Sequence, residues 1–519
     1  MTNPLPTDML AIPHLAERAA QLWPTSEAVV DGLRRLTFGE LASEAKRAAA
    51  AFVQAGLQRG ERVALWAPNS VEWIVACLGL QGAGGILVPL NTRFRGGEAQ
   101  YILNAASVAM LVVVDRFLDQ NYPDLLQGLS IPTVRRMIRI GAAGAGGYDA
   151  FLDAADEAAH AEAAIRLANL GPNDIGDIMF TSGTTGDPKG AVTTYAQSVR
   201  TSILWAKATT LGHDDRFLIL WPFFHCSGYK AGWVACLAQG ATALPEATLD
   251  VDRLLAKVHS EHVTFLPGPP TLFQTLLAKH GMDVKQLSSV RVSVTGASSV
   301  APTLITAMRE TLRFKTVLTG YGLTETCGTV TMTSPSDPAE LVTVSCGRAL
   351  EGVEIKIVDG DGRELPNGQP GEVLVRGMNV MKEYLDDPVA TAKTIDSDAW
   401  LHTGDVGILD SEGYLRITDR KKDVYIVGGF NCYPAEVEKI LLGHPAVLAV
   451  AVTGVPDTRL GEVGKAFVIL RQQMDISSDL LIAWSREHMA NFKVPRYIEF
   501  VDSLPTNAIG KVQKFKLQR

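Results

Sequence analysis

The sequence lacks the features that mark several classes of protein. Six cysteines occur in 519 residues, with no Cys-x-x-Cys pair and no metal-type cluster of Cys with His. We therefore expect free thiols in a reducing compartment, with neither a disulfide framework nor a zinc site. The longest basic block is Arg420-Lys421-Lys422, and 56 acidic against 48 basic side chains give a net charge of −8. Nucleic acid is not an expected partner of such a chain.

Long uniform apolar runs are also lacking. The most apolar stretch, Trp73–Leu90, contains Gln81 and several glycines and divides into a helix followed by a strand, so a membrane span is not expected. The first residues lack the basic region and apolar core of a signal peptide, and the last carry no lipidation signal. We expect a cytoplasmic protein without integral membrane association.

What is present is an alternation of short apolar runs with helical patterns, which predicts an α/β fold with largely parallel sheets. At about 150 residues per domain, the length allows several folding units. Repeated Asp-Gly, Asn-Gly and Glu-Gly turns between Val353 and Thr418 predict an antiparallel β region, and the pattern then returns to α+β after Asp423. The predicted strands of the two α/β series are Arg62–Trp66, Ile86–Leu90, Ala109–Val114, and then Phe217–Trp221, Val263–Leu266, Val290–Thr295 and Thr316–Thr319.

A loop rich in glycine and hydroxyl side chains follows the apolar run that begins at Asp177. Its glycines allow backbone N–H groups to converge on an anion, its Ser and Thr residues add hydroxyl donors, and Lys189 adds positive charge. It is not a Walker A loop, because Pro188 disfavours a helix at this point. The loop taken alone is either a phosphate-binding loop or a surface turn. Its residues are Thr181, Ser182, Gly183, Thr184, Thr185, Gly186 and Lys189.

Two further segments carry side chains that, like those of the loop, are suited to binding a nucleotide. Tyr321, Thr324 and Glu325 follow an apolar run, and ligands of open α/β sheets bind at the carboxyl ends of strands. Tyr321 would lie against adenine, Thr324 would reach phosphate, and Glu325 would hold Mg²⁺, which prefers oxygen ligands. Asp405 follows a glycine turn and is suited to accept hydrogen bonds from two ribose hydroxyls. Alone, Glu325 and Asp405 could equally be ordinary loop carboxylates.

The ordered set of motifs resembles the adenylate-forming superfamily of acyl-CoA synthetases, peptide-synthetase adenylation domains and beetle luciferases, over almost the whole chain. The motifs are Thr181–Gly190, Tyr321–Thr326, Gly371–Gly377, Thr403–Asp405, Asp419–Asp423 and Pro505–Lys511. The resemblance implies a large AMP-binding domain, residues 1–420, with two α/β lobes and a β-rich subdomain. It also implies a small mobile α+β lid, residues 421–519, with a hinge near 419–423.

The implied reaction has two steps. A carboxylate attacks the α-phosphate of ATP to give an acyl-adenylate and pyrophosphate, and the thiol of coenzyme A then takes the acyl group and releases AMP. Lys511 would bridge the carboxylate and the α-phosphate, and Lys422 would be the hinge. Thr181 and Glu325 would be catalytic and hold Mg²⁺. The implied nucleotide-binding residues beyond the loop are Gly296, Ala297, Tyr321, Gly322, Thr324, Asp405 and Arg420, and the implied coenzyme A-binding residues are Gly428, Gly429 and Phe430.

The acyl acid is harder to predict from the residues. His225 matches a position where relatives place an aromatic or histidine side chain that senses the carboxylate and gates thiol entry, and Cys226 beside it is interpreted as pocket lining. Four segments, Pro222–Gly232, Leu266–Thr271, Val294–Ser298 and Ile426–Glu436, resemble bacterial ligases of steroid breakdown that act on a fused-ring propanoate. The candidate acyl-pocket residues are His225, Tyr229, Lys230, Gly320 and Thr326.

Lys230 would pair with a polar group of the substrate or, as the preferred interpretation, point to solvent. An aryl-alkanoate or medium-chain fatty acid as substrate, and a carrier protein as acceptor, stay open as alternatives. A nucleotide-binding protein without catalysis is disfavoured by the presence of both Glu325 and Lys511. A homodimer is possible.

Overall fold

The structure is a computed structural model. It describes residues 11–144, 146–181, 188–296, 300, 302–420, 423–427, 430–489, 491–506 and 512–517, and for 419, 420, 430 and 431 it describes the backbone alone.

The first lobe contains a seven-stranded sheet. Five strands run parallel, and the last of them, Ile175–Thr181, forms an antiparallel hairpin with Lys189–Thr194. In spatial order the strands are Glu383–Tyr384, Lys189–Thr194, Ile175–Thr181, Ile86–Pro89, Arg62–Trp66, Met110–Val114 and Arg136–Ile140. The helices before and around this sheet are Ile12–Leu22, Phe38–Gln54, Val71–Gly82, Gly96–Ala105, Tyr148–Leu152, Glu157–Ala168 and Tyr195–Thr209, with a 3₁₀ turn at Pro123–Leu126.

Local sequence explains where these helices begin. Ser70 accepts a hydrogen bond from the backbone N–H of Trp73 at the start of Val71–Gly82, a helix whose residues are buried except Glu72. Thr194 and Gln197 form a capping box where strand Lys189–Thr194 passes into the next helix. The cap fixes the point at which the hairpin ends.

The second lobe contains two four-stranded runs that isolated parallel bridges join through Phe265. The first run is Arg216–Ile219, Thr242–Pro245, Glu27–Asp31 and Arg34–Thr37, and the second is Val292–Thr295, Thr316–Tyr321, Thr331–Met332 and Arg348–Ala349. Its helices are Cys226–Gly228, Ala235–Gln239, Val251–Ser260, Pro270–Ala278, Pro302–Glu310 and Ala339–Val344, with a π-helical segment at Tyr229–Val234 and 3₁₀ turns at Val284–Leu287 and Thr324–Thr326. The predicted strand Val263–Leu266 is therefore wrong as a full strand, since only Phe265 forms bridges there.

The predicted antiparallel β region is present. Its strands are Val353–Val358, Gly371–Gly377, Leu401–Leu409 and Leu415–Arg420, each antiparallel to the next, and helix Pro388–Thr394 lies between the second and third. Two further short strands, Arg116–Phe117 and Gln120–Asn121, pair with each other in the first lobe. The α/β architecture with a β-rich subdomain agrees with the prediction.

The last part of the chain forms an α+β unit around its own core. Its strands are Phe430–Cys432, Tyr425–Val427, Gly461–Leu470, Val447–Asp457 and Tyr497–Phe500, and its helices are Pro434–Leu441 and Ser478–His488, with a 3₁₀ turn at Lys514–Lys516. Tyr425, Val437 and Leu481 are among the buried residues of that core. Among the helices in the described part of the chain, none has both the length and the apolar character that crossing a bilayer requires.

Candidate active site

The predicted phosphate loop joins the two strands of the antiparallel hairpin. The Thr181 hydroxyl donates to the carbonyl of Lys189 at 3.5 Å across the neck of the loop. A strand, Lys189–Thr194, follows the loop, as expected for a loop that is not of the Walker A type. Ser182, Gly183, Thr184, Thr185 and Gly186 lie outside the described residues.

Lys189 is an accessible cation at this neck. Its ammonium group lies 3.8 Å from the carboxylate of Asp387 and 5.3 Å from the centre of the Tyr384 ring. The Lys189 side chain is 47% exposed. A weakly held, exposed ammonium is able to leave Asp387 for a phosphate oxygen.

Tyr384 connects Glu325 to the region around Lys189. The phenolic O–H of Tyr384 donates to Glu325 Oε1 at 2.8 Å, and the Glu325 carbonyl accepts from the N–H of Met381 at 2.8 Å. Burial, together with the neighbouring Glu325 carboxylate, raises the pKa of Tyr384 well above its usual range, so the phenol remains a donor. Sequence reasoning missed Tyr384, because 59 residues separate it from Glu325.

Glu325 fits the predicted magnesium site. Mg²⁺ is usually held by one or two carboxylates plus substrate phosphates and water. A single carboxylate on a short turn, connected through Tyr384 to Lys189, fits such a donor set, and a dedicated cage of several side chains is not needed. Among the residues that the structure describes, His, Cys, Asp and Glu form no metal-type group of three or more.

Tyr321 and Asp405 are brought together from distant parts of the chain. The Tyr321 O–H donates to Asp405 Oδ2 at 2.6 Å, and the Asp405 N–H donates to Thr403 Oγ1 at 3.1 Å. Asp405 also lies directly opposite Arg420 in the register of the neighbouring strand. Three residues predicted to contact the nucleoside therefore lie in one place, although the roles themselves stay predictions.

Glycines let the strand ends of this edge approach closely. A Cβ on Gly320 would lie 2.3 Å from Met332 Sδ, and one on Gly322 would lie 2.2 Å from the carbonyl oxygen of Gly328. Gly296 follows the neighbouring strand Val292–Thr295, and a Cβ there would lie 3.3 Å from the Gly320 carbonyl oxygen. Packing alone demands glycine at 320 and 322. Ala297 lies outside the described residues.

His225 lies in the segment after the carboxyl end of strand Arg216–Ile219, in the second lobe. Its Nδ1 accepts from the backbone N–H of Ser227 at 3.2 Å and lies 3.0 Å from Ser227 Oγ. Because Nδ1 accepts, the proton of the neutral ring is assigned to Nε2. Cys226 beside it is 1% exposed, and burial raises the pKa of its thiol to about 12. That thiol is not a nucleophile at neutral pH.

The structure corrects the preferred interpretation of Lys230. The expectation that Lys230 points to solvent is wrong, because its side chain is 1% exposed and its ammonium group lies 3.0 Å from the carboxylate of Asp177. Burial would lower the pKa of Lys230, but the Asp177 carboxylate raises it above its usual range, so the ammonium group stays protonated.

Tyr229 and Thr326 are also held inside the protein. Tyr229 is fully buried, its O–H lies 3.0 Å from Gln81 Nε2, and its ring packs against Trp73 and Trp233. The Thr326 hydroxyl donates to the carbonyl of Leu323 and accepts from its N–H, both at 3.0 Å. These contacts favour a supporting role for both residues behind the predicted acyl pocket.

Asn69 is a further residue that sequence reasoning missed. Its Nδ2 lies 2.9 to 3.2 Å from three carbonyl oxygens, and its Oδ1 accepts a backbone N–H at 2.8 Å. The partners are Ile219, Trp221, Glu246 and Phe223. An Asn-Ser pair before an apolar run indicates a helix N-terminus, and nothing in it points to a turn 150 or more residues away. Asn69 fixes the turn that leads to His225.

The second predicted group of site residues belongs to the last hundred or so positions of the chain, from Lys422 onward. Phe430 begins strand Phe430–Cys432, and an isolated bridge between Thr506 and Val512 closes the segment that carries Lys511. Lys511, Lys422, Gly428 and Gly429 themselves lie outside the described residues. Their predicted roles are therefore untested.

The fold is that of an adenylate-forming enzyme. The family model described as AMP-binding enzyme matches residues 16–385, and the model described as AMP-binding enzyme C-terminal domain matches residues 436–511. The chain belongs to this family of AMP-binding enzymes. The predicted fold class and enzyme class are confirmed. The two matched ranges lie on either side of 419–423, whose role as hinge stays a prediction.

Several proteins with a named activity are similar to this chain over nearly its whole length. The chain is 46% identical over 510 residues, 97% of each chain, to a protein of Rhodococcus jostii (strain RHA1) named 3-[(3aS,4S,7aS)-7a-methyl-1,5-dioxo-octahydro-1H-inden-4-yl]propanoyl:CoA ligase. It is 45% identical to a protein of the same name from Mycobacterium tuberculosis (strain ATCC 25618 / H37Rv), over 98% of this chain and 99% of that one. The crystal structure of the anthranilate CoA ligase AuaEII with anthranoyl-AMP superposes with a TM-score of 0.89 at 28% identity, covering 99% of this chain and 97% of that one.

Proposed function

We propose that the protein is an ATP-dependent CoA ligase that activates a steroid-derived bicyclic propanoate. The observation that carries the proposal is that strand Thr316–Tyr321 and the turn after it hold two predicted site residues: Tyr321 donates to Asp405, and Tyr384 connects Glu325 to Lys189. The acid is inferred from the near full-length similarity to two ligases named for a bicyclic propanoyl product. Mg²⁺ is part of this proposal, and a cytoplasmic location stays a prediction from the sequence.

In the first step, a carboxylate oxygen attacks the α-phosphorus of ATP. The bond from that phosphorus to the bridging oxygen breaks, and pyrophosphate leaves. Two anions must approach, so the step needs positive charge and in-line positioning. Lys189 and the hydroxyls of its loop would hold the β- and γ-phosphates, and Lys511 would hold the reacting oxygens. Glu325 would hold Mg²⁺, which when bound would neutralise charge on the phosphates.

In the second step, the thiol of coenzyme A attacks the acyl carbon and AMP leaves. The Tyr321–Asp405 pair would hold the nucleoside throughout both steps. The segment with Gly428, Gly429 and Phe430 would contact the pantetheine arm after the lid has turned. His225 would face the acyl carboxylate with its Nε2–H as a hydrogen-bond donor.

The test is AMP release with ATP, Mg²⁺ and coenzyme A over a panel of acids. The panel contains bicyclic propanoates, arylpropanoates, cyclohexane carboxylates and straight chains of graded length. A kcat/KM at least about tenfold higher for the bicyclic acids, which is a difference near 1.4 kcal/mol, supports the proposed substrate. A preference for aryl or linear acids would keep the reaction and reject the acid.

The acceptor and the lysine are tested in the same assay. Omission of coenzyme A should leave ATP–pyrophosphate exchange and remove thioester formation, whereas turnover with a carrier protein alone would point to a different acceptor. Lys511→Ala should abolish exchange but leave thioester formation from supplied acyl-adenylate mostly intact. Equal loss of both half-reactions would contradict that division of roles.

A further inference from the structure

A buried ion pair lies where the candidate site segments meet. The ammonium group of Lys230 lies 3.0 Å from Asp177 Oδ1, donates to Thr193 Oγ1 at 2.9 Å and lies 3.7 Å from Cys327 Sγ. Asp177 also accepts from Thr193 at 2.6 Å and from Ser198 at 3.1 Å. We refer to these five residues as the Lys230 cluster. Each of them is buried, with at most 1% of its surface exposed.

Four members of the cluster belong to segments that carry a predicted site residue, and the fifth, Ser198, lies in the helix after the hairpin. Asp177 shares a strand with Thr181, and Thr193 shares a strand with Lys189. Cys327 ends the turn that contains Glu325, and Lys230 lies in the helical segment that follows His225. One ammonium group thus contacts the phosphate-loop hairpin, the segment of His225 and the turn of Glu325.

The helical segment that carries Lys230 departs from α-helical geometry. Tyr229–Val234 is π-helical, with Gly232 outside helical geometry at φ −102° and ψ −112°, and its six residues are all buried. A π-helical turn changes the direction of the side chains relative to an α-helix, and such turns occur frequently at functional sites. Here the turn directs Lys230 at the hairpin.

The chemistry of the pair makes it sensitive to position. In a buried site, a charge must keep its partner and its hydrogen bonds, because the alternative is an unsolvated ion. A small shift of the hairpin or the Glu325 turn would separate these atoms, so the cluster favours one relative arrangement of the three segments. An apolar contact would tolerate such shifts more easily, because it has no directional bonds.

We propose that Lys230 is a positioning residue for the adenylation step, whose ammonium holds the phosphate-loop hairpin, the His225 segment and the Glu325 turn in the arrangement that the reaction requires. The proposal rests on the function proposed above. Lys230 does not contact substrate, and it acts through Lys189, Glu325 and His225.

The main test is the double variant Lys230→Met with Asp177→Asn, which removes both charges at nearly constant volume and leaves no lone buried ion. Lys257→Met is the matched control, because Lys257 is a largely buried lysine that pairs with Glu246 in the other lobe. We expect the double variant to lower the kcat of ATP–pyrophosphate exchange by about 100-fold, the scale of a misplacement near 1 Å. The KM for the acid should change far less.

Two further measurements separate positioning from stability. The single variants should each lower the melting temperature more than the double variant does, since each leaves one buried charge unpaired. Thioester formation from supplied acyl-adenylate should fall far less than exchange. If the double variant keeps exchange within about threefold of Lys257→Met, the pair is structural alone and the proposal is wrong.

A readout without turnover keeps this test independent of the proposed function. Amide hydrogen exchange of 188–194 and 323–329 should accelerate in the double variant and not in Lys257→Met. If wild type shows no exchange of pyrophosphate with any acid, the proposed function fails. Unchanged amide exchange would instead overturn the role of Lys230.

Discussion

Two lysines at opposite ends of one hairpin have opposite environments. Lys189 lies at the neck of the phosphate loop, 3.8 Å from Asp387, and the two side chains are 47% and 40% exposed. Lys230 is at the base, 3.0 Å from Asp177, and the two side chains are 1% and 0% exposed. Both are Lys–Asp pairs, and they differ in the solvent exposure of their side chains and in the number of their hydrogen-bond partners.

The difference separates a lysine suited to a ligand from one suited to structure. An exposed ion pair contributes about 0 to 1 kcal/mol, because water competes for both charges. Lys189 is therefore able to exchange Asp387 for a phosphate at little cost. A buried pair that loses one member leaves an unpaired ion, so separating Lys230 from Asp177 is energetically costly. Lysine chemistry alone does not distinguish the two roles.

The largest expected effect is on stability at the base of the hairpin. Lys230→Met should lower the free energy of unfolding by about 3 to 5 kcal/mol, because the Asp177 carboxylate is left buried and unpaired. Urea unfolding followed by tryptophan fluorescence measures this. Lys189→Met is the control and should lose less than about 1 kcal/mol. Equal losses in the two variants would mean that burial does not separate the pairs.

The reverse order is expected for nucleotide binding. Lys189→Met should raise the KM for ATP by roughly 10- to 100-fold, since a hydrogen bond to a charged group is worth about 1.5 to 3 kcal/mol. Initial rates of pyrophosphate exchange at varied ATP measure it. Lys207→Met is a matched control, because Lys207 forms a comparable exposed pair with Glu351 at 3.0 Å. An unchanged KM for Lys189→Met would remove Lys189 from the phosphate site.

A smaller effect is expected from Tyr384, which connects the exposed lysine to Glu325. Tyr384→Phe removes the donor to Glu325 Oε1 and should raise the Mg²⁺ concentration needed for half-maximal exchange by about tenfold, the scale of a lost partner of a metal ligand. Because the pKa of Tyr384 is raised by burial and by Glu325, wild type should show no loss from Tyr384 ionisation up to about pH 10.

The control for Tyr384 is Tyr414→Phe. Tyr414 donates to a carboxylate of Asp337 at 2.8 Å, in the same kind of pair as Tyr384 and Glu325. Its variant should leave the Mg²⁺ requirement unchanged. A shift of equal size in both variants would show a general effect of losing a phenol.

The sequence predicts the fold well where periodic patterns carry it. Strand Arg62–Trp66 has the predicted bounds, because a short apolar run is a local feature of the sequence. Val263–Leu266 has the composition of a strand, yet Phe265 makes only isolated bridges between its neighbours. Whether an apolar run becomes a full strand depends on the strands beside it.

Site residues were predictable where one motif holds them together. Tyr321, Glu325 and Asp405 stand in recognisable motifs, whereas Asn69 and Tyr384 act on partners far along the chain. The sequence predicts a solvent-exposed Lys230, because an isolated lysine is usually solvated. Its partner Asp177 is 53 positions away, and the two come together only in the folded structure.

The smallest effect is expected at Cys226, the thiol next to His225. Its Sγ lies 3.4 Å from Met179 Sδ, and burial raises its pKa to about 12, so it stays a neutral thiol at assay pH. Cys226→Ala should keep the kcat/KM for acyl-CoA formation within about threefold of wild type. The control is Cys236→Ala, a buried cysteine of the same lobe. A large loss specific to Cys226→Ala, together with an acyl thioester on the enzyme by mass spectrometry, would make Cys226 a nucleophile. That outcome would contradict the separation between exposed groups that bind ligands and buried groups that support the structure, because a buried group would then carry out chemistry.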